Sequence, residues 1–156
     1  MRRSKLTRRE RSWREVEAIT GIGVYRLSAF FRNGLYSLIR AGLPDAEIIH
    51  AFTRCRAWTI KAKKSGLGEC ECSCGTRLPV DAVNAQGKSV WNLDHCKYTK
   101  TFRGILFQRC NREIGDGNRK RKLGHASYVE AHEARLRIAD GDYEWSNEFQ
   151  AVGAIE

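Results

Sequence analysis

The chain reads as an α+β protein: a basic helical part, then a part built on two short strands and a helix. Three observations predict this. Residues 1–64 carry 15 Lys/Arg against 5 Asp/Glu, whereas residues 65–156 carry 13 of each, so the formal excess of +10 lies wholly in front. Apolar residues before residue 64 recur at helical spacing. From residue 90 the pattern changes to two β-rich runs bounded by polar residues. The expected organisation is therefore a domain over 1–64 and a second over 65–156.

Residues 1–14 form an arginine-rich arm in which seven cations, among them Arg2, Arg3, Arg8 and Arg9, face Glu10 alone. Such a segment is expected to order on a polyanion. Trp13, Val16 and Ile19 predict a first helix over 12–20, with Ser12 as its N-cap. Gly21 and Gly23 predict a turn. Leu27, Phe30 and Phe31 predict a second helix over 24–32, stopped by Asn33-Gly34. A short helix over 35–43 is expected next, stopped by Gly42 and Pro44. Asp45 then caps a helix with Ile48, Phe52, Cys55 and Trp58 on its apolar stripe, and Arg54, Arg56, Lys61, Lys63 and Lys64 opposite. Cys55 is expected to be a buried structural thiol. Residues 63–68 read as the linker.

The run AITGIGVYRLSAFFRNGL resembles the helix-turn-helix of MerR-like regulators, with Gly21, Leu27, Phe30, Gly34 and Leu35 at the matching positions. The resemblance implies DNA binding, with Tyr25, Arg26 and Ser28 at the exposed start of a recognition helix and Arg32 on phosphate.

The second part opens on ECECSCG. Cys70, Cys72 and Cys74, with the later Cys110, supply four sulfurs, enough for one tetrahedral structural Zn²⁺. Cys70, Cys74 and Cys110 are expected to converge, with Cys72 or Cys96 as the fourth. Residues 78–88 read as loop, 90–96 and 102–107 as strands, 97–101 as the turn between them, and 110–115 as the start of a helix. Beyond it lie a second basic run, Arg119, Lys120, Arg121 and Lys122, a helix over 126–139, and an acidic tail. His125 and His132 are expected to be packed or capping residues.

His95 offers an imidazole that takes a proton near neutral pH, and Asp94 and Asn111 offer hard oxygen ligands suited to Mg²⁺ (or Mn²⁺). A metal on one side of a phosphate and a base on the other can hydrolyse a phosphodiester. The series Asp94-His95, Arg103-Gly104, Leu106, Cys110-Asn111 and Gly115 resembles the His-Me finger (ββα-metal, HNH-type) nucleases, in particular the endonuclease VII-like group. Phe107 stands where that pattern has the first cysteine of its second zinc pair. The resemblance implies a ββα-metal nuclease domain with a zinc site. His95 would be the general base, and Asp94 and Asn111 would bind the catalytic metal. Arg103, placed among the catalytic residues by its Arg-Gly pair, is expected to hold the substrate backbone with Lys97 and Lys100.

The expected protein is a metal-dependent DNA endonuclease of phage type, either site-specific (homing or nicking) or junction-resolving. The alternative is a catalytically silent helix-turn-helix joined to a zinc ribbon. DNA is the expected partner, a homodimer would supply two sites, and the expected compartment is the cytoplasm. No apolar run approaches the ~20 residues of a membrane span.

Overall fold

The computed structural model describes residues 7–21, 28–72, 74–114 and 123–139. They form three helices, two small antiparallel hairpins and two further helices, a mixed α+β architecture. In chain order these are α1 (Arg8–Thr20), α2 (Ala29–Arg40), α3 (Asp45–Ser65), β1 (Gly68–Glu69), β2 (Arg77–Leu78), β3 (Trp91–Cys96), β4 (Thr101–Phe107), α4 (Gln108–Ile114) and α5 (Leu123–Ala139). No helix among the described residues is long and apolar enough to cross a membrane.

Helix α1 starts four residues earlier than Ser12 predicts. Thr7 caps it: its hydroxyl accepts from the Glu10 N–H at 3.2 Å, and the Glu10 carboxylate accepts from the Thr7 N–H at 2.8 Å. This reciprocal capping box satisfies two amides that the first turn leaves open. Gly21, in the left-handed region at φ 70°, ends the helix as expected.

Helix α2 corrects the reading more deeply. It begins after Ser28 and runs through Asn33-Gly34 to Arg40, where a stop and a second helix were predicted. Its buried stripe, Phe31, Leu35 and Leu38, crosses the expected break without a shift in phase. Gly34 is there for close approach. A Cβ built on it would lie 2.7 Å from Cγ and Cδ1 of Leu93, so glycine lets α2 lie against β3.

Helix α3 follows its predicted stripe, burying Ile48, Ala51, Phe52, Cys55, Trp58 and Ala62, with Pro44 rather than Asp45 at the N-cap. Burial pushes the Cys55 thiol far up, consistent with an inert packed side chain. The chain then turns at Gly66, φ 82°, but no gap in packing follows. Trp58 donates its indole N–H to the Glu69 carbonyl at 2.8 Å and meets Trp91 edge-on at 4.9 Å between centroids. A Cβ on Gly68 would fall 2.4 Å from the Trp58 ring. Val16, Phe31, Ile48 and Trp58 share one continuous core with Trp91, Phe102, Ile105 and Ile114. The charge step near residue 64 therefore crosses a shared core.

The hairpin β3–β4 and the helix after it lie within one or two residues of expectation. Asp94 pairs with Gly104 and His95 with Phe102, which leaves Arg103 as the extra residue of a β-bulge. A bulge re-aims the extra side chain, and here it brings the guanidinium of Arg103 to Asp94. The outer edge of β4 is covered by residues 70–71. The Ile105 N–H donates to the Glu71 carboxylate at 2.7 Å, the Glu71 N–H donates to the Ile105 carbonyl at 3.0 Å, and the Phe107 N–H points at Cys70 Sγ at 3.3 Å.

Candidate active site and metal centre

The Sγ atoms of Cys70, Cys72, Cys74 and Cys110 all lie within 4.8 Å of one another. Cys70 and Cys72 approach to 3.3 Å and Cys74 and Cys110 to 3.5 Å. In a tetrahedral Zn–S₄ centre with bonds of ~2.3 Å the sulfur edges are about 3.8 Å, so the cluster has the dimensions of such a site. Cys72 is the fourth member, and Cys96, at the end of β3, is outside the group. The position at 107 also finds its explanation. Phe107 brings no sulfur, but Cys70 lies beside the Phe107 amide and puts its own Sγ there.

The thiols differ in environment. Burial pushes Cys70, Cys72 and Cys110 up to about 12, whereas hydrogen bonds from Thr76 and neighbouring thiols bring exposed Cys74 down to about 7 against its partial burial. Three buried thiols stay protonated on their own. Four thiolates at this separation need a cation among them, and the donor set suits a soft, tetrahedral metal such as zinc. Such a metal would tie the segment 70–74 to the first turns of α4.

Asp94 is buried at 3% exposure. Arg103 Nη2 donates to its Oδ1 at 3.0 Å, Arg103 Nε lies 2.8 Å from its Oδ2, and the Tyr128 hydroxyl of α5 donates to Oδ2 at 2.9 Å. Burial pushes the Asp94 carboxyl above the usual range against the pull of Arg103 and Tyr128, and it pushes the Tyr128 phenol well up. Gly104 makes room for this arrangement, because a Cβ there would meet the Tyr128 ring and hydroxyl at 2.9 Å.

Asn111 is elsewhere. It lines a cavity of about 820 Å³ between α2, residues 80–93 and α4, with Asn33, Lys88, Asn92 and Leu93. Asp94 and His95 are not among the lining residues. Successive strand residues point to opposite faces, and Leu93 meets α2 while Asp94 meets α5. Both oxygens of Asp94 are held by Arg103 and Tyr128, and Asn111 lines a cavity that Asp94 does not line. Arg103 is an internal partner of Asp94. His95 follows Asp94 at the bulge and is half-buried.

Several expected DNA contacts have partners within the chain. Arg32 stacks over the Trp13 ring at 4.5 Å, Lys97 sits 5.1 Å from the Tyr98 ring centroid, and Lys100 donates to the Ala41 carbonyl at 2.9 Å. Ser28 is the N-cap residue of α2 and lines the 820 Å³ cavity. Arg2, Arg3, Tyr25, Arg26, Arg119, Lys120, Arg121 and Lys122 lie outside the described residues, as do the side chains of Arg8 and Arg9.

A second charged group surrounds Asp94. Glu71 accepts from Arg54 at 2.7 Å, Arg135 pairs with Glu47 at 2.9 Å, and His132 Nε2 lies 3.0 Å from the Thr101 hydroxyl. Burial, with Arg135 and Arg103 nearby, holds His132 down to about 4, so it is neutral near pH 7. Sequence reasoning missed Tyr128 and Glu71. Their one signal was being polar in otherwise apolar or cysteine-rich stretches.

Comparison with protein-family models, with curated proteins and with solved structures gave no match to this chain.

Proposed function

We propose that the chain is a DNA endonuclease of the His-Me finger type, with His95 as general base. The observation that carries this reading is the continuous β3–β4–α4 unit: His95 is near the end of the first strand, Asn111 is in the helix that follows directly, and four cysteines meet at the joint. In this reading His95 takes a proton from water, the hydroxide attacks phosphorus, and the 3′ oxygen leaves. Proton transfer by a placed imidazole contributes ~10²–10⁴-fold to such a rate. A divalent cation, where bound, would stabilise the charge that develops on phosphate. Asp94 acts here as a positioning residue, holding the strand end through Arg103 and Tyr128.

The test is to incubate the protein with Mg²⁺, a four-way junction and a linear duplex library, alongside His95→Ala. The expected outcome is cleavage by the unaltered chain and its loss, with binding retained, in the variant. Equal cleavage by both would sink the assignment of His95.

The engagement of Asp94 favours one second reading, a catalytically silent nucleic-acid-binding module in which Asp94–Arg103–Tyr128 is structural. Tight binding with no cleavage under any divalent cation is its signature.

A further inference from the structure

Many cations among the described residues are taken up inside the fold. The arginines at 54, 77, 103, 109 and 135 each pair with a carboxylate, Arg32 and Arg40 lie over aromatic rings, and Lys100 is on a carbonyl. The last three turns of α3 differ. The side chains of Arg56, Lys61, Lys63 and Lys64 are all exposed, and none makes an ion pair, hydrogen bond or ring contact among the described residues. By helical spacing Arg56 and Lys63 flank one side of the buried stripe of Cys55, Trp58 and Ala62, Lys61 flanks the other, and Lys64 lies opposite it.

The helix dipole accounts for part of this group. Cations in a last turn are stabilised by the helix dipole, and Lys63 and Lys64 are in that turn. Arg56 and Lys61 are further in, where the effect has faded. Four like charges along about 12 Å of helix, at ~1.5 Å per residue, repel one another without a counter-charge. Over that length a nucleic-acid duplex presents on the order of seven phosphates, at one per ~1.7 Å. A scattered set of carboxylates on a protein surface offers far less.

We infer that the outer face of α3, through Arg56, Lys61, Lys63 and Lys64, is a docking surface for the phosphodiester backbone of a nucleic acid. This deepens the endonuclease reading by naming where the substrate backbone lies, and it rests on that reading for the choice of polyanion. The contact is to phosphate, so it fixes position without reading bases. The four side chains are exposed and separate from the core, so their loss leaves the fold intact.

The experiment compares the unaltered chain with the quadruple variant R56Q/K61Q/K63Q/K64Q, each shown folded by its circular dichroism. Affinity for a fluorescent duplex is measured by anisotropy across a KCl series with no added Mg²⁺ or Mn²⁺, so that cleavage plays no part. Each phosphate contact contributes about 0.9 to the slope of log K against log salt. The expected result is a slope shallower by about three to four, with weaker binding at low salt. An unchanged slope overturns the inference. So does an equal loss of binding to anionic phospholipid vesicles or to polyglutamate, which would make the face a general anion surface. Cleavage surviving in His95→Ala would end the catalytic reading and leave this binding result standing.

Discussion

The cysteine cluster and the Asp94 cluster lie along the same strand and obey different rules. At the end of β4, four sulfurs meet with no other strong partner. Three positions earlier on β4, at Gly104, the partner residue Asp94 meets Arg103 and Tyr128, and both its oxygens are consumed. A thiol is a weak hydrogen-bonding group, so once brought near its fellows it stays available to a metal. A buried carboxylate cannot wait unpaired, because desolvation penalises its charge until a donor arrives. Proximity therefore makes a cysteine site, whereas a carboxylate site depends on which other elements reach it first.

The largest expected effect breaks the first half of this contrast. One Zn²⁺ per chain should bind and raise the melting temperature, since structural zinc sites in small peptides contribute ~10–16 kcal/mol to folding. Cys110→Ser should lower the stoichiometry and remove most of the gain, as read by metal analysis and thermal melting. Zinc-independent melting of both proteins would mean that the cluster is a set of ordinary thiols.

Arg103→Ala probes the second half. It leaves Asp94 buried without its charge partner and should cost about 3–5 kcal/mol in denaturant unfolding. If Asp94 were mainly a metal ligand, the loss of Arg103 would leave stability in the absence of metal nearly unchanged.

Gly34→Ala sharpens the comparison from the opposite face of the hairpin. The added methyl would meet Leu93 Cγ and Cδ1, and overpacking of this kind costs about 1–3 kcal/mol. A second change, Leu93→Ala, should recover part of it in a double-mutant cycle. Simple additivity would show that α2 does not rest on β3 there.

The last effect is graded and concerns pH. His132 is held at about 4 when folded, against an unfolded value of ~6.5, so between these values the unfolded chain takes up a proton that the folded chain refuses. Its contribution is fully present above about pH 6.5 and is lost as pH falls towards 4, with a slope of at most ~1.4 kcal/mol per unit. His132→Gln should flatten the stability profile in that window, and an identical profile would exclude His132 as the source.

Local chemistry was legible in the sequence. The two strand runs, the turn at 97–100 and the start of α4 follow from alternation and polar punctuation, and the apolar stripe of α3 follows from its spacing. Glycine was read for the wrong reason at Gly34. A glycine that stops a helix and a glycine that admits a neighbouring strand look the same until the neighbour is known. The buried core runs across residue 64, where the charge changes. Charge is a surface property, and the Trp58–Trp91 contact beneath it crosses the boundary. Sequence reading chose cations by their position in motifs, and the structure shows that Arg32 and Lys100 already have partners.

The sequence by itself determined the apolar stripe of α3, the β3–β4–α4 run, the supply of four cysteines, and the surplus of positive charge. These depend on local spacing and composition. Only the tertiary structure decided that Cys72 joins Cys70, Cys74 and Cys110, that α2 runs unbroken past Gly34, and that Arg103 and Tyr128 claim Asp94. Those outcomes depend on which side chains arrive from distant parts of the chain, and a buried polar group is defined by the partner that reaches it.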